Sequence, residues 1–166
     1  MIDGRERAPL AASRDMYLDE SGNVIPGASI DGPLAAGIPG TVAALDQLAK
    51  EYGTLPLSTT LEAAIRYARD GFAVDEHFRK MVTMRLSALQ ASEEAAAIFL
   101  RNGLAPDVGE IITQADLADT LELISKDGAK AFYTGELAEK MVTSVKQNGG
   151  IWSMDDLAEY QMVERS

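Results

Sequence analysis

The first nine residues concentrate cationic side chains that could bind an anion. Asp3-Gly4-Arg5-Glu6-Arg7-Ala8-Pro9 places two guanidinium groups in a non-helical segment of an otherwise acidic chain. The planar fork of arginine can donate two parallel hydrogen bonds to a carboxylate, so Arg5 is a candidate for carboxylate recognition. An ion pair with Asp3, Glu6 or another surface acid explains the same residues, and the local sequence by itself favours that structural interpretation.

Other candidates for chemistry have simpler structural explanations. His77, the single histidine, stands in an acidic first helical turn with no recognisable nucleophile or orienting group. The hydroxyls of Ser58-Thr59-Thr60 stand where a helix needs a cap, and the carboxylate pairs at 93–94 and 155–156 complement helix dipoles. The backbone of Gly37-Ile38-Pro39-Gly40-Thr41 could hold an anion, although an ordinary helix start is the favoured interpretation.

Composition narrows the classes of function. The chain of 166 residues has 15 Lys and Arg against 26 Asp and Glu, and its formal net charge of −11 repels nucleic acid and anionic membranes. It has no cysteine for disulfides or thiolate chemistry, and one histidine cannot form a multi-histidine metal cluster. No apolar run approaches the length of a membrane span. We therefore predict no cofactor, no metal site, no nucleic-acid partner and no membrane span in this segment.

The elements that must position these residues fall into three ranges. Residues 1–40 carry four of the six prolines and show no helical period, so they are predicted to be extended and looped, with a short strand at 14–19 and a turn at 20–23. Residues 41–159 repeat apolar side chains at helical spacing and predict about seven helices. Residues 160–166 are β-prone, and we interpret them as the truncated start of a strand without a partner. The predicted fold class is mainly α.

Caps and glycine stop signals set the bounds of the predicted helices. Thr59 with Glu62, and Thr113 with Asp116, have the spacing of a capping box, and Asp75 and Ser92 are further caps. The seven helices run from Gly40 to Gly53, Thr59 to Gly71, Asp75 through Leu89, Ser92 to Gly103, Thr113 to Gly128, Thr134 to Gly149 and Ser153 through Leu157.

Three linked motifs near the start of the chain are specific enough to indicate a family. They resemble, in identity and order, the large subunit of γ-glutamyltransferases: Asp3-Gly4-Arg5-Glu6 with Ala8-Pro9, then Arg14-Asp15-Met16-Tyr17-Leu18-Asp19, then Gly37-Ile38-Pro39-Gly40-Thr41-Val42. The resemblance continues through Tyr52-Gly53-Thr54-Leu55-Pro56-Leu57, Ala68-Arg69-Asp70-Gly71-Phe72, Gln114-Ala115-Asp116-Leu117-Ala118, Phe132-Tyr133-Thr134-Gly135 and Asn148-Gly149-Gly150. It covers essentially the whole chain.

This resemblance implies an N-terminal nucleophile hydrolase of four-layer αββα architecture, made as one precursor that cleaves itself into a large and a small subunit. In such enzymes the first threonine of the small subunit attacks the γ-glutamyl carbonyl of a donor, typically glutathione, and the acyl-enzyme passes to water or to an acceptor amino acid or peptide. The arginine of the Asp-x-Arg-Glu motif holds the donor's α-carboxylate, and Arg5 is the matching residue. Gly4 departs from the aromatic residue often found there. Members are commonly periplasmic or secreted, so we expect export of the parent protein.

The family's Thr-Thr-His segment, which contains the nucleophile, has no match in this chain. Thr59-Thr60 is followed by Leu61 and lies at a helix start. We therefore expect an internal segment of the large subunit with no catalytic residue of its own, inert without its small-subunit partner. Two alternatives stay open: a related acylase that acts on β-lactam side chains or poly-γ-glutamate, and a non-catalytic acidic helical module that binds a peptide.

Overall fold

The structure is a computed structural model that describes residues 1–166, and it is mainly helical with four two-residue strands. The helices are α1 (Thr41–Glu51), α2 (Leu57–Asp70), α3 (Glu76–Met84), α4 (Leu86–Gln90), α5 (Glu93–Phe99), α6 (Ala115–Asp127), α7 (Lys130–Tyr133), α8 (Gly135–Gln147) and α9 (Met154–Ala158). The strands are β1 (Ile2–Asp3), β2 (Phe72–Ala73), β3 (Ile111–Ile112) and β4 (Val163–Glu164). No helix has both the length and the apolar character that crossing a bilayer requires. Two compact units form, one from residues 1–60 and 123–166 and the other from residues 61–122.

The core of the first unit is built around two stacked tyrosines. The rings of Tyr133 and Tyr160 lie 5.5 Å apart at an interplanar angle of 7°. The Tyr133 hydroxyl donates to the carbonyl of Pro39 at 2.7 Å and accepts the N–H of Ala43 at 3.3 Å. Burial raises the pKa of Tyr133 to about 12, so this hydroxyl stays protonated at neutral pH. The other buried members of the cluster are Ile38, Ala138, Val142, Trp152 and Leu157.

The segment before α1 has little regular structure, and specific hydrogen bonds hold it in place. Arg7 and Ile38 exchange backbone hydrogen bonds of 3.1 and 2.7 Å in an isolated antiparallel bridge. The indole N–H of Trp152 donates to the carbonyl of Ala36 at 3.0 Å. Long-range contacts therefore fix the position of this segment, which includes the candidate arginine.

Asp156 is buried at the start of α9 and joins this helix to the first ten residues. One carboxylate oxygen accepts the N–H of Leu10 at 2.6 Å, and the other accepts the N–H and hydroxyl of Ser153, each at 2.7 Å. Ser153 returns a bond through its hydroxyl, which accepts the N–H of Asp156 and completes a capping box. Burial by itself would raise the pKa of Asp156, but the donors from Leu10 and Ser153 outweigh it and hold the pKa below its ordinary value.

Asp156→Ala should lower the free energy of unfolding of the full-length protein at pH 7 by about 2 kcal/mol, because three donors lose a charged acceptor. Because the pKa of Asp156 is lower in the folded protein, its carboxylate contributes its full stabilisation above the ordinary aspartate pKa of about 4. This stabilisation is lost as the pH falls through the pKa of the folded state. Urea unfolding of both proteins between pH 7 and pH 3 measures the difference. Asp155→Ala is the matched control, since Asp155 is exposed in the same turn. If the difference in the free energy of unfolding between the unmodified protein and Asp156→Ala grew as the pH fell, Asp156 would not be stabilising the fold as a charged carboxylate.

The second unit has its own small apolar cluster and strand pair. Strands β2 and β3 are antiparallel, with Phe72 opposite Ile112. Phe72 packs edge-on against Phe78 at a centroid distance of 5.2 Å, and Phe78 lies 6.5 Å from Phe99. Arg69 at the end of α2 pairs with two acids of α6, each at 2.8 Å. Within this unit these contacts join α2 to α6, and they join α3 and α5 to the strand pair.

The helix caps predicted from sequence are partly confirmed. Asp75 caps α3 through a 2.7 Å bond from the N–H of Phe78, and Ser92 caps α5. Ser153, which was predicted only as the first residue of the last helix, caps α9. The Thr59–Glu62 capping box is wrong, because α2 begins at Leu57 and Thr59 lies in its first turn. Pro56 explains the earlier start, since its carbonyl accepts the N–H of Thr59 at 3.0 Å and proline suits the first helical turn.

The secondary structure differs from the prediction in four other places. The single helix predicted from Asp75 through Leu89 divides at Arg85 into α3 and α4, and residues 130–133 form a helix that was not predicted. The strand predicted at 14–19 is wrong: the segment turns, and Leu18 forms only an isolated bridge with Val24. The Asp19 carboxylate instead organises the predicted turn by accepting N–H groups of residues 21 and 23. Strand β4 does have a partner, because it pairs antiparallel with β1.

Candidate functional site

Arg5 lies two residues after the end of β1, and both its backbone N–H and its backbone carbonyl are hydrogen-bonded. Its N–H donates to the carboxylate of Asp3 at 3.0 Å, and its carbonyl accepts the hydroxyl of Tyr160 at 2.7 Å. The carboxylate of Asp3 also accepts a hydrogen bond of 2.7 Å from Nε of Arg165. The N–H of Arg5 and then the guanidinium of Arg165 lower the pKa of Asp3, which keeps it a charged acceptor at neutral pH.

The guanidinium of Arg5 lies at the surface, where a ligand can reach it. The side chain is 81% exposed, and its ion pair with Glu6 runs through Nε at 3.3 Å. Because Glu6 is itself exposed, this pair contributes little and another carboxylate can replace it at low cost. A guanidinium that is exposed on a hydrogen-bonded backbone can donate two parallel hydrogen bonds to a carboxylate.

Two glycines allow the backbone to approach closely beneath Arg5. A Cβ on Gly4 would lie 2.4 Å from the Cβ of Ala44 in α1 and 3.0 Å from the carbonyl oxygen of Gly40. A Cβ on Gly40 would lie 1.9 Å from the Tyr160 hydroxyl and 2.3 Å from the carbonyl oxygen of Gly4. The absence of side chains at positions 4 and 40 therefore makes room for the hydrogen bond between Tyr160 and Arg5.

Arg7, the second cation of the motif, has a different role. One of its Nη atoms donates to the carbonyl of Glu159 at 3.2 Å, at the end of α9. Its backbone is bridged to Ile38, so both its side chain and its main chain are used within the fold. Beside it a cavity of about 10 Å³ between Ile38 and Asp156 is too small for a substrate. Arg5 is therefore the better candidate of the two for binding a ligand.

The structure places the remaining candidates in structural or surface positions. His77 is exposed in the first turn of α3, and the hydroxyl of Thr60 donates to the carbonyl of Leu57 within α2. The pair at 93–94 is exposed in the first turn of α5. Residues 37–41 form a helix start with Gly40 as the N-cap, and the nearby N–H of Ala43 is bound to Tyr133. None of these groups lies beside a nucleophile with a base.

Sequence reasoning missed the residues that support Arg5 from a distance. Tyr160 was assigned only to a β-prone tail, and Asp156 only to a helix first turn, yet both bind the first ten residues. Their partners lie 155 and 146 positions away in the sequence, so no local pattern reveals them. The spacing of Ser153 and Asp156 is the local signal that could have located Asp156 at a capped helix start, because the two residues form a capping box.

The second unit contains an open groove whose lining includes charged side chains. It encloses about 470 Å³ and is lined in part by Arg79, Thr83, Arg101 and Glu110. Arg79 is paired with Asp107 at 2.7 Å, and Arg101 donates to three backbone carbonyls, so both cations are engaged. No group of three or more His, Cys, Asp or Glu side chains is arranged to hold a metal ion.

Comparison with known proteins gives a consistent result over the whole length. Residues 1–166 match the family described as Gamma-glutamyltranspeptidase. The glutathione hydrolase proenzyme of Escherichia coli K12 is 40% identical over 166 residues, which are 99% of this chain and 29% of that protein. The γ-glutamyltranspeptidase of Helicobacter pylori superposes with a TM-score of 0.94 at 39% identity, covering 98% of this chain and 47% of that one.

A relative with a different name is also similar in structure. The cephalosporin acylase of Bacillus halodurans superposes with a TM-score of 0.83 at 30% identity, covering 98% of this chain and 31% of that one. The present chain spans less than a third of the length of the curated glutathione hydrolase proenzymes that it matches. The similarity in both sequence and structure extends through the segment that carries Arg5.

Proposed function

The chain belongs to the γ-glutamyltranspeptidase family, and from this premise we propose that the parent protein hydrolyses or transfers the γ-glutamyl group of glutathione and related donors. The observation that carries the proposal is the exposed guanidinium of Arg5 on an anchored backbone, at the arginine of the family's Asp-x-Arg-Glu motif. Relatives named glutathione hydrolase support the choice of donor.

Arg5 binds the α-carboxylate of the donor in this proposal. A γ-glutamyl group carries that carboxylate at the end remote from the scissile amide, so a guanidinium there fixes the position of the carbonyl that reacts. Two parallel N–H···O bonds also fix its orientation, which a point charge cannot do. In the absence of substrate, the carboxylate of Glu6 pairs with the guanidinium of Arg5. The carboxylate of the substrate displaces Glu6 at low cost, because the ion pair of Arg5 and Glu6 is exposed.

Bond breaking is assigned to residues outside this chain. In the parent, an N-terminal nucleophile hydrolase of αββα architecture, the hydroxyl of the first threonine of the small subunit attacks the γ-glutamyl carbonyl. The leaving amine departs with a proton and an ester remains on the threonine. Water then releases glutamate, or an acceptor amine forms a new γ-glutamyl amide. The present segment supplies substrate binding, and the small subunit is its partner.

A second candidate function follows from the similarity to the cephalosporin acylase. A glutaryl side chain has the same terminal carboxylate as a γ-glutamyl group and lacks only the α-amino group. Arg5 can therefore dock either acyl group, and the carboxylate site by itself does not discriminate between them. Recognition of the α-amino group separates the two functions, and Arg5, being a cation, does not provide it.

The initial rates of the full-length protein with γ-glutamyl-p-nitroanilide and glutaryl-p-nitroanilide test this proposal. We expect release of p-nitroaniline from the γ-glutamyl compound with a kcat/KM at least about tenfold higher, because a site that binds the α-amino group loses that interaction with the glutaryl compound. The opposite preference would support the acylase function. Release from neither anilide, by a protein shown to be processed into two subunits, would overturn the proposal.

A further inference from the structure

Both backbone polar groups of Arg5 are hydrogen-bonded, and their partners differ in kind. The acceptor for its N–H is the carboxylate of Asp3, two residues earlier and partly exposed. The donor to its carbonyl is the hydroxyl of Tyr160, which is 8% exposed and lies 155 residues later in the sequence. The contact from Tyr160 is the one that ties Arg5 to the core of the unit.

Tyr160 is itself held rigidly. Its ring stacks on Tyr133, and the Tyr133 hydroxyl bonds to the main chain of Pro39 and Ala43 around the start of α1. Burial raises the pKa of Tyr160, so its hydroxyl remains a donor throughout the neutral range. The result is a fixed donor that is aimed at one backbone carbonyl.

We propose that Tyr160 is a positioning residue for the binding of the donor's carboxylate, which it serves by fixing the Arg5 carbonyl and thereby the backbone position from which the guanidinium extends. The inference rests on the proposed function of Arg5. Bidentate recognition tolerates displacements of only about 0.5 Å, so a backbone free to shift at Arg5 weakens it. Tyr160 has no contact with the substrate in this proposal, and its effect depends on the arginine.

The test uses the full-length protein and two donors, γ-glutamyl-p-nitroanilide and the same anilide with its α-carboxylate converted to a carboxamide. The measured quantity is the ratio of kcat/KM for the carboxylate donor to kcat/KM for the carboxamide donor. Partial unfolding lowers both values equally and leaves this ratio unchanged, so a purely structural role of Tyr160 does not affect it. Tyr160→Phe keeps the stacked ring and removes only the hydroxyl, and we expect it to reduce the ratio about fivefold.

Trp152→Phe is the control, because it removes a different hydrogen bond from the same core, that to Ala36, and should leave the ratio unchanged. In an Arg5→Lys background, Tyr160→Phe should have little further effect, because its action passes through the arginine. An unchanged ratio in Tyr160→Phe, with a reduced ratio in Arg5→Lys, would overturn this inference and leave the proposed function intact. An unchanged ratio in Arg5→Lys would instead refute carboxylate docking by Arg5.

Discussion

Arg5→Lys should lower kcat/KM of the full-length protein for γ-glutamyl-p-nitroanilide by about 30-fold or more, which corresponds to roughly 2 kcal/mol. Lysine keeps the positive charge but presents a single ammonium group in place of the planar fork. The fall in kcat/KM therefore measures the loss of the bidentate hydrogen bonds to the carboxylate, because the positive charge is the same in both proteins. Initial rates over a range of donor concentrations provide the measurement.

The control for this substitution is Arg14→Lys, which makes the same change at another surface arginine. The Arg14 side chain is 95% exposed and its nearest acid is Asp15 at 3.7 Å, so kcat/KM should not change. Arg5 is also exposed, and both variants should unfold at the same temperature as the unmodified protein. Unchanged kcat/KM in Arg5→Lys would remove Arg5 from the binding site.

Features that depend on neighbouring residues could be predicted from the sequence. Asp75, Ser92 and Ser153 were assigned as helix starts, and in each case a side-chain oxygen accepts an N–H three residues later. Glycines at 71 and 128 were assigned as helix ends, and both have positive φ values, 89° and 72°. These signals act within one helical turn, which is why a single sequence reveals them.

Features that depend on contacts distant in sequence could not be predicted. The pairing of β1 with β4 joins residues 2–3 to residues 163–164, and each strand is only two residues long. A periodic pattern cannot be recognised over two residues. The break at Arg85 is similarly hidden, because apolar residues continue at helical spacing on both sides of it. Tertiary contacts decide such features, and local propensity does not.

The candidate site likewise combines a feature that the local sequence reveals with features that depend on contacts distant in sequence. The motif made Arg5 a candidate for binding a carboxylate, although the local sequence by itself favoured an ion pair with Asp3, Glu6 or another surface acid, and the structure contains the pair with Glu6. The structure adds the hydrogen bonds of the Arg5 backbone to Asp3 and Tyr160, on which the proposed binding role depends. The departure at Gly4 also has an explanation, since any side chain there would meet Ala44 unless α1 shifted.

Gly40→Ala tests the close packing beneath the arginine and should be the most damaging single-methyl substitution in this region. The φ of Gly40 is −114°, which any residue adopts, so the cost is steric and does not come from the backbone conformation. The added methyl group would lie 1.9 Å from the Tyr160 hydroxyl oxygen and 2.3 Å from the carbonyl oxygen of Gly4. Overpacking of this kind costs about 3 kcal/mol when a backbone atom cannot yield.

We expect urea unfolding of the full-length Gly40→Ala protein to show that loss, whereas Thr41→Ala, at the exposed next position, should change stability little. The displaced hydroxyl of Tyr160 should also reduce the preference for donors with a free α-carboxylate. Combining Gly40→Ala with Tyr160→Phe should restore only part of the stability, because the methyl group still meets the carbonyl of Gly4. Full stability in Gly40→Ala would show that Tyr160 can move away freely, and it would then be too mobile to position Arg5.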